Sequence, residues 1–407
     1  MRIADVRSMV REFTPRGFVR VLSDLLEGRD ESGNQVPKIK AESVSFRMLW
    51  EAMVGPVEET LEMAQRAGRF NYVDTMQEAI DSTMFPSATG VLIANKVIEA
   101  YDAPGYIGDQ LVTVMPSRLK TERIVGFTSL EGPMEVGEGM PYPESGFSEK
   151  YVTTDTAKKG RILEITEEAI YFDQTGQILM RAARLGEQTR LEREEIILSG
   201  VIDAGGAAGV GAYKPVYRPS GTAAALYSSG NLNLQSTQTT LQNWTDLDEI
   251  LRYHAENIRD DRAVSGERRP IVWMPRVLLT SRKFAATATR ILSTASVMAQ
   301  AAGTDATNRE YGESPVNQLL PGLKALSSPL IDYIAGVSGS QYSDSADWFL
   351  GDFARQFIWQ EIWPIQTFRA MQNDEAQFRR DIVARFKVRY YGGIAAIDHR
   401  YVVKVNG

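Results

Sequence analysis

The side chains able to do chemistry are few and scattered. His254 and His399 lie in different regions of the chain, and neither sits in an HExxH or similar metal-ligand spacing. Each is expected in a core or surface role. There is no cysteine, hence no disulfide, no thiolate nucleophile and no Cys-based zinc site. No P-loop pattern and no GxSxG elbow occurs. The run Gly205-Gly-Ala-Ala-Gly-Val-Gly-Ala212 invites a dinucleotide reading, which fails on context. No strand clearly precedes it, no helix follows, and no acidic residue stands where a ribose would need one. A flexible insertion is expected there. Glu131, Glu135, Glu138 and Glu144 could hold a divalent ion but lack the Asp/Asn alternation of a calcium loop. Asn243-Trp-Thr245 matches a glycosylation sequon that a cytoplasmic chain would not use. No catalytic residue, cofactor or metal is therefore expected.

The totals point the same way. The chain has 407 residues, 43% hydrophobic and 24% charged, enough for two or three domains with a sizeable core. Its net charge of −7 argues against a protein whose main task is gripping nucleic acid, without excluding weak contact with a polyanion. Met1 to Val10 carries charge throughout, and Gly90-Val-Leu-Ile-Ala94 falls far short of the ~20 residues of a membrane span. A cytoplasmic product is expected, with stability from packing and association.

With no active site to position, the organising stretch is Leu119 to Gly200. Lys120 to Thr128 goes out as a strand, and Tyr151 to Thr156 with Arg161 to Ile165 comes back, all rich in Thr, Val, Ile and aromatics. The Gly/Pro-punctuated segment Glu131 to Gly146 lies between them. A two-stranded ribbon alone is marginal in water. It must rest either on its own domain or on a neighbouring copy. Glu167 to Ser199 then reads as helix, weakened at Gly176, capped by Thr166 or Asp173, and stopped by Gly200. Its core, Thr175 to Ser199, would span ~37 Å.

Around this stretch, residues 1–40 read as an arm, with Arg2, Arg7, Arg11, Arg16 and Arg20 along a solvated or partner-facing helix. Phe46 to Met63 is a Met-rich helix broken at Gly55-Pro56, and Val91 to Tyr101 a short helix. Leu111 to Val114 is a strand. Leu247, Ile250, Leu251, His254 and Ile258 line a helix face. Pro270 to Pro275 reads as a buried strand, Arg276 to Leu292 as helix and Ala295 to Gly312 as loop. Asp347 to Phe353 and Gln356 to Trp363 read as two strands joined by a tight turn. Phe378, Ile382, Phe386 and Val388 face inward before a turn at Gly392 and a last strand.

An arm, a ribbon, a long charged helix, a central α/β region and a β-rich return through Gly351-Asp-Phe-Ala-Arg-Gln-Phe357 and Asp381 to Val405 resemble, in that order, the HK97-fold major capsid proteins of tailed bacteriophages. The resemblance covers nearly the whole chain and rests on order rather than on one motif. It implies an α+β fold with an arm and helical segment at 1–117, an E-loop ribbon at 118–166, and a P-domain spine helix with insertion at 167–245. The A domain would be 246–345, and 346–407 a return completing both domains. It also implies hexamers and pentamers of this chain in an icosahedral shell around double-stranded DNA, assembled in the host cytoplasm. Portal, scaffolding and decoration proteins would be partners, with no membrane. Arg161, Glu164, Glu192, Arg193, Lys150 and Lys158 are then candidate inter-subunit contacts. Some members cross-link through a Lys–Asn isopeptide bond assisted by Glu. Lys150, Lys158, Lys159, Asn373 and Glu375 are present here, but spacing does not establish that chemistry. Members often lose an N-terminal scaffolding region, and a start at Met1 speaks against that. Rival readings are an encapsulin-like shell, a cytoplasmic α/β enzyme, and a tail or baseplate component.

Overall fold

The structure, a computed structural model, describes residues 15–29, 34–53, 84–127, 136, 138, 149–166, 174–236, 240–260, 270–293, 296–300, 309–313, 322–337, 340, 342, 346–369 and 382–407. Its helices are α1 (Pro15–Glu27), α2 (Phe46–Met53), α3 (Met84–Tyr101), α4 (Gly108–Leu111), α5 (Thr175–Val201), α6 (Trp244–Asn257), α7 (Ala285–Ser293), α8 (Pro329–Ala335) and α9 (Phe353–Gln356). The strands are β1 (Thr113–Pro116), β2 (Arg123–Phe127), β3 (Glu149–Thr153), β4 (Ala157–Thr166), β5 (Leu234–Gln235), β6 (Val277–Ser281), β7 (Ser296–Gln300) and β8 (Arg309–Glu313). They continue with β9 (Lys324–Ser328), β10 (Trp348–Gly351), β11 (Phe357–Arg369), β12 (Ile382–Ala396) and β13 (Val402–Val405). The chain divides into two units, one of residues 1–104, 158–192 and 363–391, the other of 105–157, 193–362 and 392–407.

In the first unit, Phe18, Leu22 and Leu26 recur every four residues on α1 and are buried with Leu92 and Val97 of α3. Ile178, Leu179 and Ala182 of α5 and Phe386 and Val388 of β12 complete that core. This part of the expected arm is thus a core helix, because its apolar stripe needs covering. Arg20 lies on its opposite, solvated face and approaches Asp24. α5 meets α3 at Gly186, where an added Cβ would stand 2.3 Å from the Val97 carbonyl oxygen. Thr175 Oγ1 at the start of α5 accepts from Phe46 N at 2.8 Å.

The second unit holds a five-stranded mixed sheet, ordered β5-β13-β10-β6-β9. β10 is antiparallel to β13 and β6, while β5 and β9 add in parallel at the two edges. All of β6 is buried, as a central strand covered on both faces requires. Leu278, Trp348, Leu350, Val403 and Val405 pack with Leu247 and Ile250 of α6 and Ala288 and Ile291 of α7. In the same unit β1 pairs in parallel with the start of β11, from Thr113↔Ile358 to Pro116↔Glu361.

Several expectations are corrected. Val277 to Ser281 is a strand, so helix begins only after it. The segment before it is not a buried strand: Val272 is 88% exposed. Residues 296–313 contain a hairpin, β7–β8, where a loop is expected. β10 and β11 are joined by one helical turn and enter different sheets. β12 runs on through Gly392 without turning, because Gly393 lets the strand pass close to the Asp155 carbonyl. The glycine-rich stretch after α5 is folded, with Ala204, Tyr213, Val216 and Tyr217 buried. Gly200 is not the helix stop. It is where α5 admits the side chain of Ile394, and the helix ends at Val201.

Candidate assembly surface

The ribbon is built by β2 and β3, antiparallel from Arg123↔Thr153 to Phe127↔Glu149. The return does not continue into β4, which joins the sheet beside β12 instead. What the sequence presents as one arm is therefore a ribbon and, after Thr156, a sheet strand. The root is fastened by side chains of small reach. Thr154 Oγ1 accepts from Glu122 N at 3.0 Å, and Thr156 Oγ1 donates to the Lys120 carbonyl at 2.7 Å. Gln360, fully buried in β11, sends Nε2 to Ser117 Oγ and the Leu119 carbonyl, each at 2.9 Å. On its outer side β3 is met by Arg218 and Ser220, through Thr153 N to the Arg218 carbonyl and Ser220 N to the Tyr151 carbonyl. Leu119 at the root (59% exposed) and Val125 on β2 (50% exposed) present apolar surface.

A cleft of about 170 Å³ lies at the ribbon's base, lined among others by Ile124, Tyr151, Tyr217, Pro219, Asp398 and His399. Its titratable groups are already engaged. Asp398 forms a forked pair with Arg400, at 2.9 and 2.6 Å. Burial pushes its carboxyl up, but the Arg400 hydrogen bonds and charge outweigh that and hold it below the usual range. Tyr217 Oη lies 3.2 Å from His399 Nδ1. The Asp398 carboxylate is thus taken up by Arg400, and the Tyr217 hydroxyl lies against the His399 imidazole. The other histidine, His254, is buried, stacked on Trp273 at 3.9 Å, with Nε2 donating to the Arg400 carbonyl. Burial lowers its pKa to about 4, so it is a neutral core residue.

The α5 side chains do structural work that sequence reading missed. Glu194 is buried, and its carboxylate accepts from Ile107 N and Gly108 N at 2.8 Å, fixing the turn that leads into β1. The signal lay at helical spacing, since Leu191, Ile197 and Leu198 stand three and four residues from Glu194. Gln360, between Trp359 and Glu361 in an aromatic strand, carried a similar one.

Most of the six candidate contact residues are engaged within the chain. Glu192 accepts from Lys159 at 2.8 Å, Glu164 pairs with Arg385 at 3.1 Å, and Arg193 pairs with Asp109 at 3.0 Å. Lys158 sits over the Trp363 ring at 5.6 Å. Arg161 and Lys150 are exposed. Asn373, Glu375, Glu131, Glu135 and Glu144 lie outside the described residues. Among the described residues no cluster of His, Cys, Asp and Glu could hold a metal, and no helix is long and apolar enough to cross a membrane.

The chain matches the family model described as phage capsid protein over residues 150–405. No curated protein matches it. Solved structures that resemble it include a virus-like particle from Pyrococcus furiosus, 8% identical, covering 77% of this chain and 97% of that one at a TM-score of 0.40. Another is from Mycobacterium phage Ogopogo, 16% identical, covering 75% and 92% at 0.41. A third is the mature capsid of bacteriophage PhiM1, 10% identical, covering 74% and 87% at 0.43. At TM-scores this low the family match, not the superpositions, decides the assignment. A match across more than half the chain, on an α+β body with a two-stranded ribbon and a long helix, means that the chain belongs to the phage capsid protein family and is a structural, shell-forming protein of the virion.

Proposed function

We propose that copies of this chain close into hexamers and pentamers that tile an icosahedral shell around packaged double-stranded DNA, each ribbon reaching over a neighbouring copy. In this reading 1–117 is arm and helical segment, 118–166 E-loop, 167–245 spine helix and insertion, 246–345 A domain, and 346–407 the return. Assembly takes place in the host cytoplasm, with portal, scaffolding and decoration proteins as partners, and the subunit needs no chemistry of its own. The observation that carries the reading is the β2–β3 ribbon: two strands with a firmly bonded root, and apolar surface exposed at Leu119 beside it and at Val125 on β2. Such a ribbon is marginal unless another surface covers it. Closed rings repeat each weak contact many times, which suits exposed ion pairs worth about 0–1 kcal/mol each. Arg161 and Lys150, both exposed, remain candidates for contact with a neighbour. An acidic subunit also avoids clamping DNA that must move. Negative-stain microscopy of the purified chain tests this. Uniform closed particles are expected, and a monodisperse 45.3 kDa monomer under all assembly conditions would sink the proposal.

A further inference from the structure

One face of the first unit carries a basic and aromatic ladder that nothing above explains. Along β12, Phe386, Val388 and Tyr390 are buried, while Arg385, Lys387, Arg389 and Tyr391 alternate with them on the other face. Arg389 stands 4.2 Å from the ring of Trp363 and 4.2 Å from that of Phe368, both on β11. Lys387 lies 5.6 Å over Phe368, and Lys158 of β4 lies 5.6 Å over Trp363. Trp363 meets Tyr391 edge-on at 5.4 Å. Glu164 stands at this face, and Arg385 is its partner. Among the described residues no carboxylate pairs with Lys158, Lys387 or Arg389. Phe368 is still 39% exposed. A guanidinium held between two rings has already lost much of its rotamer freedom, so an arriving carboxylate gains a hydrogen bond at low ordering cost.

We infer that this ladder is the docking face for the glutamate-rich stretch 131–149 of a second copy. Between Thr128 and Glu149 the chain has Glu131, Glu135, Glu138, Glu144 and Glu149 and no Lys, Arg, Asp or His. Tyr142 and Phe147, with three prolines, supply rings and flat apolar surface to stack on the ladder. In a chain of net charge −7 this is a strong local excess of one sign, and the ladder is a strong local excess of the other. The inference rests on the shell reading, since it supplies the partner that the ribbon needs. The same cations would also attract DNA phosphates, which makes DNA the competing occupant.

The test uses the full chain. Lys158→Glu with Lys387→Glu changes two exposed positions and is expected to lower particle yield by about tenfold or more. Adding Glu135→Lys, Glu138→Lys and Glu144→Lys to that variant is expected to restore it. Carbodiimide treatment of particles assembled from equal parts of light and heavy-isotope chains is expected to join Lys158 or Lys387 to the 131–149 glutamates in mixed light–heavy peptides. Unchanged yield in the Lys→Glu variant, no restoration by the swap in a chain with native circular dichroism, or cross-links only within one isotope each overturn the inference. So does a Lys→Glu variant that assembles normally but loses binding to duplex DNA on a filter. A wild-type chain that never forms particles sinks the shell reading itself. A wild-type chain that assembles beside indifferent variants sinks only the ladder.

Discussion

Asp203 ends the long helix by an unusual route. It takes the left-handed conformation (φ 55°) that glycine commonly supplies, with Ala204 N bonded to the Ser199 carbonyl and Asp203 N to that of Gly200. Its buried Oδ2 accepts from Leu226 N at 2.7 Å. Burial raises its pKa from 3.8 to about 6, against the pull of backbone amides and Lys404. The folded chain therefore binds this proton more tightly than the unfolded one. The stabilisation is full below pH 4 and is lost as pH rises through 6. Asp203→Asn keeps an acceptor for Leu226 and tolerates positive φ. It is expected to raise the melting temperature of the unassembled chain at pH 7.5, with a ceiling of about 3 kcal/mol, and to gain little at pH 4. An equal gain at both pH values would refute this. His254 works in the opposite direction. Its pKa, lowered from 6.5 to about 4, means stability lost as pH falls through that range. Thermal scans of the Asp203→Asn chain are therefore expected to show steeper acid destabilisation than wild type, because the compensating proton is gone. A profile parallel to wild type would contradict that.

Among the elements, glycine positions separate contact from convenience. Gly186→Ala puts a methyl group 2.3 Å from a backbone oxygen on α3, where neither helix can yield cheaply. It is expected to cost about 3 kcal/mol or prevent folding. Gly176→Ala meets open space in the same helix and is expected to be neutral or to gain up to ~1 kcal/mol. Chemical denaturation of both variants decides, and similar costs would refute the packing account. The root of the ribbon makes a different prediction. Gln360→Met strips the donors from Ser117 and Leu119 without emptying the space. Amide exchange across 117–122 is expected to quicken, while β10 and β13 keep their protection. Uniform acceleration would mean global destabilisation instead. Periodicity made α6, the Thr175 helix and the β2–β3 ribbon legible, since a repeat of 3.6 or 2 residues states which face is buried. It misread Val277 to Ser281, because a strand buried on both faces loses its alternation and passes for helix. It put β4 in the ribbon because Thr- and Ile-rich strands look alike whichever sheet they join. Glu194 and Gln360 stayed hidden because the backbone groups they satisfy lie far away in sequence.

At the scale of the whole molecule, the ribbon can be shortened without disturbing what holds its root. The last described pair, Phe127↔Glu149, can be closed by a two-residue Asn-Gly turn in place of 128–148. Every hydrogen bond from Gln360, Thr154 and Thr156 lies on the near side of that cut. The shortened chain should therefore keep native circular dichroism and a melting temperature within a few degrees of wild type, since the bonds that hold the root all remain. If the excised residues are what one copy lays upon the next, the same chain will sediment as free subunits where the wild type forms closed particles. Loss of assembly together with loss of fold would mean that 128–148 supports its own chain. Particles of wild-type size from the shortened chain would mean that overlap by this ribbon is not what closes the shell.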